Sequence, residues 1–231
     1  MRDTHGIALD PRLSMIASLV GPCESCADIG CDHGRLGAFL LQTGLCQRVV
    51  MTDVSEPSLK KARALIALAG LGGGAEFHVG DGAAALPGPV DAVVIAGMGG
   101  ATIAQIIAEG RDALGEARLV LQPNVAAPQL RATLCESGYA IYDERVVRDG
   151  RRLYVIIAAR PGFARYDTRE RIVGPVLLDR MPPELMPYAQ FRLRVARKAL
   201  KGASAAGDAA QAEPLAQEIA IWEEVATCLR R

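Results

Sequence analysis

Residues 27–37, Ala27-Asp-Ile-Gly-Cys-Asp-His-Gly-Arg-Leu-Gly37, compress the end of an apolar strand, a turn and the start of a helix into eleven positions. Gly30 allows a tight reversal where a side chain would collide with a bound molecule, and the amides that follow sit at a helix start able to hold a negative group. The Gly-x-Gly-x-x-Gly of a dinucleotide fold is absent; Asp28, Gly30 and Gly34 form Asp-x-Gly-x-x-x-Gly instead. By itself this is also what an ordinary strand-turn-helix junction of an α/β fold looks like. Working outward, the next apolar strand, Arg48 to Asp53, ends in a carboxylate 23 residues after Gly30. A βαβ unit puts that strand end beside the ribose of a nucleoside ligand, where Asp53 can accept both hydroxyls. This spacing suits more than one nucleoside cofactor, and Asp53 also reads as a neighbour of a helix cap.

Upstream, Asp10-Pro11 starts a short helix with Leu13, Ile16, Ala17 and Val20 on one face. Downstream, Glu56 to Leu68 is a helix and Glu76 to Val79 a third strand, closed by Gly80-Asp81-Gly82. An acidic side chain at that edge can accept from an exocyclic amine, while His78 reads as an edge or packed residue. Asp91 to Ala96 is a continuous apolar strand followed by Gly97-Met98-Gly99-Gly100 and a helix from Thr102 to Ala108. Three glycines in four residues at a strand's carboxyl end imply close approach of the backbone to something, in the place where open α/β sheets hold their ligand crevice. Leu119 to Leu121 ends in Gln122-Pro123-Asn124, two amide side chains able to read a base by paired donor and acceptor groups. A helix from Pro128 to Ser137 precedes Tyr139 to Val147 and Leu153 to Ala159, which Asp149-Gly150 joins as a hairpin. Strands alternating with helices predict a doubly wound sheet whose last strands are antiparallel.

The 231 residues are 50% hydrophobic and only 4% aromatic, so the core should be built from Ala, Val, Leu and Ile. Net charge is zero, yet residues 144–201 hold 14 Lys/Arg against 6 Asp/Glu. A basic flank beside an acidic body suits an anionic partner, nucleic acid foremost. Cys23, Cys26, Cys31, Cys46, Cys135 and Cys228 include one Cys-x-x-Cys with no second pair at zinc-site spacing, so the thiols are expected reduced and no metal is expected. With no signal pattern and no long apolar run, a soluble cytoplasmic protein without a membrane partner is expected.

At Pro161-Gly162 the pattern changes, dividing the chain into residues 1–165 and 166–231. Leu185, Tyr188, Phe191, Val195 and Ala199 recur at helical spacing, as do Leu215, Ile219, Trp222, Ala226 and Leu229. Two helices joined by Gly202 to Ala212 should form a coiled-coil hairpin. Arg192, Arg194, Arg197, Lys198 and Lys201 lie on the first and Glu213, Glu218, Glu223 and Glu224 on the second, so the basic charge either contacts RNA or faces these acids.

Asp28-x-Gly-x-x-x-Gly resembles motif I of S-adenosylmethionine-dependent methyltransferases, where the acid helps orient the methionine end of the cofactor. Taken with Ile95-Ala-Gly-Met-Gly-Gly100, Leu121-Gln-Pro-Asn124, Asp149-Gly-Arg-Arg-Leu-Tyr154 and Val173-Gly-Pro175, the chain resembles the bacterial TrmK-type tRNA (adenine(22)-N1)-methyltransferases along nearly its whole length. The resemblance implies a class I, Rossmann-like methyltransferase domain, S-adenosylmethionine as donor and N1 of adenine 22 in tRNA as acceptor. It also implies a cofactor site at Asp28, Gly30, Cys31, Asp32, His33, Asp53, Asp81, Gly82, Ala96 and Gly97. The target base would be seated by Gly97, Met98, Gly99, Gly100 and Asn124, with Asp28 beside it. The chain departs from the family at Gly34, Arg35 and Gly37, and Asp53 stands where a glutamate is common. The glycine turn replaces the Asn-Pro-Pro-Tyr expected of exocyclic N6 methylation, which favours the ring nitrogen. A methyltransferase of another RNA or a small molecule, a nicotinamide-dependent oxidoreductase and a silent RNA-binding module are the competing readings.

Overall fold

Asp10 opens the first helix by accepting the Leu13 amide at 2.7 Å, and Pro11 occupies a first-turn position that needs no N–H donor. This computed structural model describes residues 6–230. Contacts divide it into two compact units, one ending at Arg165 and one starting at Tyr166.

In the first unit, α1 (Pro11–Val20) buries Ile16, Ala17 and Val20. There follow β1 (Cys23–Ile29), α2 (Arg35–Gln42), β2 (Cys46–Asp53), α3 (Glu56–Ala69), β3 (Ala75–Val79), β4 (Ala92–Met98) and α4 (Gly100–Glu109). A short α5 (Arg111–Leu114), then β5 (Arg118–Pro123), α6 (Ala127–Glu136), β6 (Tyr139–Asp149) and β7 (Arg152–Pro161) complete it. The seven strands lie in the order β3-β2-β1-β4-β5-β7-β6. The first five are parallel, and β7 runs antiparallel to both β5 and β6. Ala92 to Ile95 and Leu119 to Leu121 are fully buried, as expected of central strands covered on both faces. The predicted elements are all present, but the strands are longer: β4 continues past Ala96 through a bulge to Met98, and α4 starts at Gly100.

All six cysteines are free. Cys23 meets Cys46 rather than Cys26, because the two sit opposite each other on adjacent parallel strands with their sulfurs 3.2 Å apart. Residues three apart on one strand point to opposite faces, so a Cys-x-x-Cys within β1 has no reason to pair.

In the second unit, α7 (Thr168–Val173) begins with a reciprocal capping box between Asp167 and Glu170, and α8 (Pro175–Arg180) follows. The helical hairpin is α9 (Leu185–Ala205) and α10 (Ala209–Cys228). Two expectations need correction. The linker is shorter than Gly202 to Ala212, since Asp208 caps α10 and the alanines after it propagate the helix, leaving Pro214 inside. The buried stripe of α9 is Leu185, Tyr188, Ala189, Leu193, Ala196 and Ala203, while Val195 is 43% exposed. Two apolar stripes overlap on this helix, and the alanine-rich one permits closer approach. Tyr188 meets the fully buried Trp222 edge to face, with centroids 5.7 Å apart. Arg192 and Arg197 pair across the hairpin with Glu218 and Glu223, each at 2.6 Å. Arg194, Lys198 and Lys201 are exposed and make no side-chain hydrogen bond or ion pair among the described residues. No described helix is long and apolar enough to cross a membrane.

Candidate active site

The carboxyl ends of β1 to β4 enclose a cavity of about 740 Å³. Asp28, Gly30, Cys31, Asp32, His33 and Asp53 line it from β1 and β2, and Asp81, Gly82, Ala96, Gly97 and Met98 from β3 and β4. Sequence reading placed all eleven here, and the fold brings them together.

Backbone conformation explains the glycines. Gly30 has φ of +73°, and a Cβ there would overlap the Met98 side chain; Met98, from the next strand, and not only a ligand, fills the space above the turn. Asp32 adopts φ of +49°, which turns its amide onto the Asp53 carboxylate at 3.0 Å. The other Asp53 oxygen accepts the Ser55 amide at 2.8 Å. Two backbone donors thus fix this carboxylate and leave lone pairs free for hydroxyls. His33 contacts Lys61 at 3.0 Å and Asp32 at 3.5 Å on the exposed rim.

Asp28 is almost fully buried, and its carboxyl is pushed up to about 7, first by burial and then by the nearby Asp53 charge, with Arg12 opposing. Burial and the same carboxylates also raise the Cys31 thiol, which keeps it protonated. A cavity that makes its own buried carboxylate uncomfortable is complementary to a cation.

The β4 end is held by a clasp of amides. Gln122, fully buried, accepts from the Gly97 amide at 3.2 Å and from Arg12 at 2.8 Å, and donates to Asn124 at 3.1 Å. Asn124 in turn donates to the Gly97 carbonyl at 2.7 Å. These side chains brace the bulge at Gly97, where φ is +77°, and their polar groups are engaged within the protein. Gly99, Gly100 and Asn124 lie outside the cavity lining. A Cβ on Gly100 would strike the carbonyls of Val125 and Ala126, so that glycine serves helix-to-loop packing. Of the three glycines, only Gly97 belongs to the cavity; Gly100 is required by packing, and a Cβ on Gly99 would meet only ordinary contacts.

Arg12 is the residue that sequence reading missed. It lines the cavity, bonds Gln122 and stands with its guanidinium carbon 5.6 Å from the Tyr154 ring centroid. It is the one charged residue of α1, and a lone charge on a helix otherwise read as packing was the available signal.

The methyltransferase-domain family profile matches residues 9–157. A curated relative, the tRNA (adenine(22)-N(1))-methyltransferase of Bacillus subtilis, is 32% identical over 179 residues, covering 74% of this chain and 75% of that one. The chain belongs to this methyltransferase family. Within the family, the solved B. subtilis m1A22 tRNA methyltransferase TrmK superposes with a TM-score of 0.86 at 26% identity, covering 95% of this chain and 99% of that one. Streptococcus pneumoniae Sp1610, solved in complex with S-adenosyl-L-methionine, gives 0.83 at 27% identity over 93% and 98% of the two chains. The motif resemblance and the Rossmann-like class are borne out.

S-adenosylmethionine fits the residues present. Asp28 and its acidic neighbours would suit the positive charges of the methionine end, the lone pairs that the two backbone donors leave on Asp53 would be open to ribose hydroxyls, and Asp81, lining the cavity at the next strand end, would be an acceptor for the adenine amine.

Proposed function

We propose that this enzyme transfers a methyl group from S-adenosylmethionine to N1 of adenine 22 in tRNA. The reading is carried by a cation-fitting cavity opening beside the braced Gly97 bulge, in a chain 32% identical to the B. subtilis enzyme of that activity. The cofactor supplies an electrophilic methyl on a sulfonium.

Adenine N1 carries its own lone pair, so the protein's task is in-line positioning rather than strong base catalysis. In this reading Asp28 and the backbone around Gly97 and Met98 hold the two reactants together, and a carboxylate near the ring favours the positive charge that develops on it. N1 lies on the Watson-Crick edge, so a paired adenine must leave its helix at a cost of a few kcal/mol. Folded tRNA is then the expected substrate, because tertiary structure presents a single reachable adenine. A bacterial tRNA substrate implies a cytoplasmic enzyme. The unpaired face of α9, Arg194, Lys198 and Lys201, offers a further contact for tRNA phosphate.

The test is mass spectrometry of nucleosides from tRNA transcripts incubated with the protein and S-adenosylmethionine. N1-methyladenine that disappears when adenine 22 is changed to guanine is expected. Methylation persisting in that transcript overturns the position, and N6-methyladenine overturns the atom.

A further inference from the structure

The carboxyl edge of the sheet does not end at the cavity; it continues over β5, β7 and β6. Leu121 pairs with Ile157 and Leu119 with Ala159, so β7 starts at the edge where β5 finishes. The β6–β7 turn, closed by Gly150 at φ of +56°, therefore emerges on the same edge as the cavity. Arg148, Arg151 and Arg152 are exposed around it.

These arginines are poorly served by the protein. Arg148 and Arg151 make no side-chain hydrogen bond or ion pair among the described residues, and Arg152 interacts with Tyr154 and feels Asp149. Arg145, farther down β6, is by contrast tied to Asp143 at 2.9 Å. Three like charges gathered on one turn repel one another, and a polyanion is the ligand that relieves them. Guanidinium forks match phosphate oxygens in pairs. The turn is also wired to the cavity: two residues after Arg152, the Tyr154 ring meets Arg12, and Arg12 lines the cavity beside Asp28.

We infer that Arg148, Arg151 and Arg152 form a phosphate-binding surface for tRNA, through which the methyltransferase domain itself grips the strand next to the target adenine. This rests on the proposed function. It differs from a grip supplied by the helical hairpin alone, because it ties substrate affinity to the sheet edge that carries the chemistry.

The experiment compares the full-length protein with its Arg148→Ala/Arg151→Ala variant, in tRNA binding over a range of salt concentrations and in steady-state methylation. The variant should bind S-adenosylmethionine like the wild type, which reports that the exposed turn is the only thing changed. Its tRNA affinity should fall by about tenfold, and the slope of log affinity against log salt should become shallower by about two, one phosphate contact per arginine. KM for tRNA should rise while kcat stays within about twofold, and Arg148→Lys/Arg151→Lys should recover most of the affinity by restoring the charges. Wild-type methylation together with unchanged affinity and salt slope in the alanine variant overturns the docking surface and leaves the function standing. Wild-type protein that leaves tRNA unmethylated overturns the function, and with it this surface.

Discussion

The two halves of one sheet edge carry opposite charge. Over β1 to β3 stand Asp28, Asp32, Asp53 and Asp81; over β5 to β7 stand Arg148, Arg151 and Arg152, with Arg12 between them. The acidic half lines a cavity and is positioned by backbone amides, as on Asp53; the basic half is exposed, and of its three arginines only Arg152 interacts with neighbours among the described residues. One is shaped to enclose a small cation. The other is shaped to meet a large anion whose affinity comes from phosphate neutralisation. Global neutrality conceals this division, because charge that matters to function is segregated by position in the fold.

The comparison is broken most severely at Asp28. Its folded value of about 7 lies above the ordinary 3.8, so protonation favours the folded state. The stabilising contribution is fully present below about pH 4 and is lost as pH rises through 7, for a total of roughly 4 kcal/mol at most. Cofactor-free Asp28→Asn should therefore be more stable than wild type at pH 8 in denaturant melts, by up to that amount, while losing cofactor affinity. The same residue makes cofactor binding depend on pH in the opposite sense: affinity should drop about fivefold from pH 7 to pH 6 as the carboxylate is protonated, a dependence absent in Asp28→Asn. Equal stability and flat affinity across this range would show that the buried carboxyl does not sense the ligand's charge.

Asp53→Ala removes an oriented acceptor rather than a buried charge. The expected loss is about 1.5 to 3 kcal/mol of cofactor affinity by calorimetry, with tRNA binding unchanged. Unaltered affinity in a folded variant would remove Asp53 from the ribose site.

Gln122→Ala tests the seam between the halves. It takes the shared acceptor from the Gly97 amide and from Arg12, both of which water can reach, so each lost hydrogen bond costs about 0.5 to 1.5 kcal/mol. The expectation is a kcat lower by about tenfold with cofactor affinity nearly intact, since the clasp positions the bulge and not the carboxylates. A fall in cofactor affinity as large as the fall in kcat would place the clasp in the acidic half.

The smallest effect is expected outside this edge, on α9. Arg194→Ala/Lys198→Ala should weaken tRNA binding roughly threefold, as exposed charges contribute only tenths of a kcal/mol to about 1 kcal/mol each. Arg197→Ala, already paired with Glu223, should do less. A larger loss than from the β6–β7 turn would shift the principal grip to the hairpin.

The acidic half was legible in the chain because each of its residues follows an apolar run and a strand end is a predictable address. The basic half was legible as the turn of an antiparallel hairpin but not as part of the same edge, since that depends on β7 inserting between β5 and β6, and three-dimensional order is not written in periodicity. Gln122 and Asn124 were visible as an unusual pair of amides, yet their partners, the bulged Gly97 and Arg12 of a helix 110 residues away, are supplied only by the fold. The hairpin stripe was misread one face over because Phe191 and Val195 are as apolar as the alanines and leucines that won. Hydrophobicity alone does not measure how closely two helices can approach.

Arg12 also bears on where the domain begins. Seen as a sheet, the unit starts at Cys23, and a cut after Gly21 would keep all seven strands. Such a cut would uncover the apolar bed of Ile16, Ala17 and Val20 and delete the guanidinium of Arg12, shared by the cavity, Gln122 and Tyr154. For anyone dividing, fusing or redesigning this chain, α1 is part of the working unit, and so are Ile7, whose amide donates to Gln42, and Leu9, which packs on the same core.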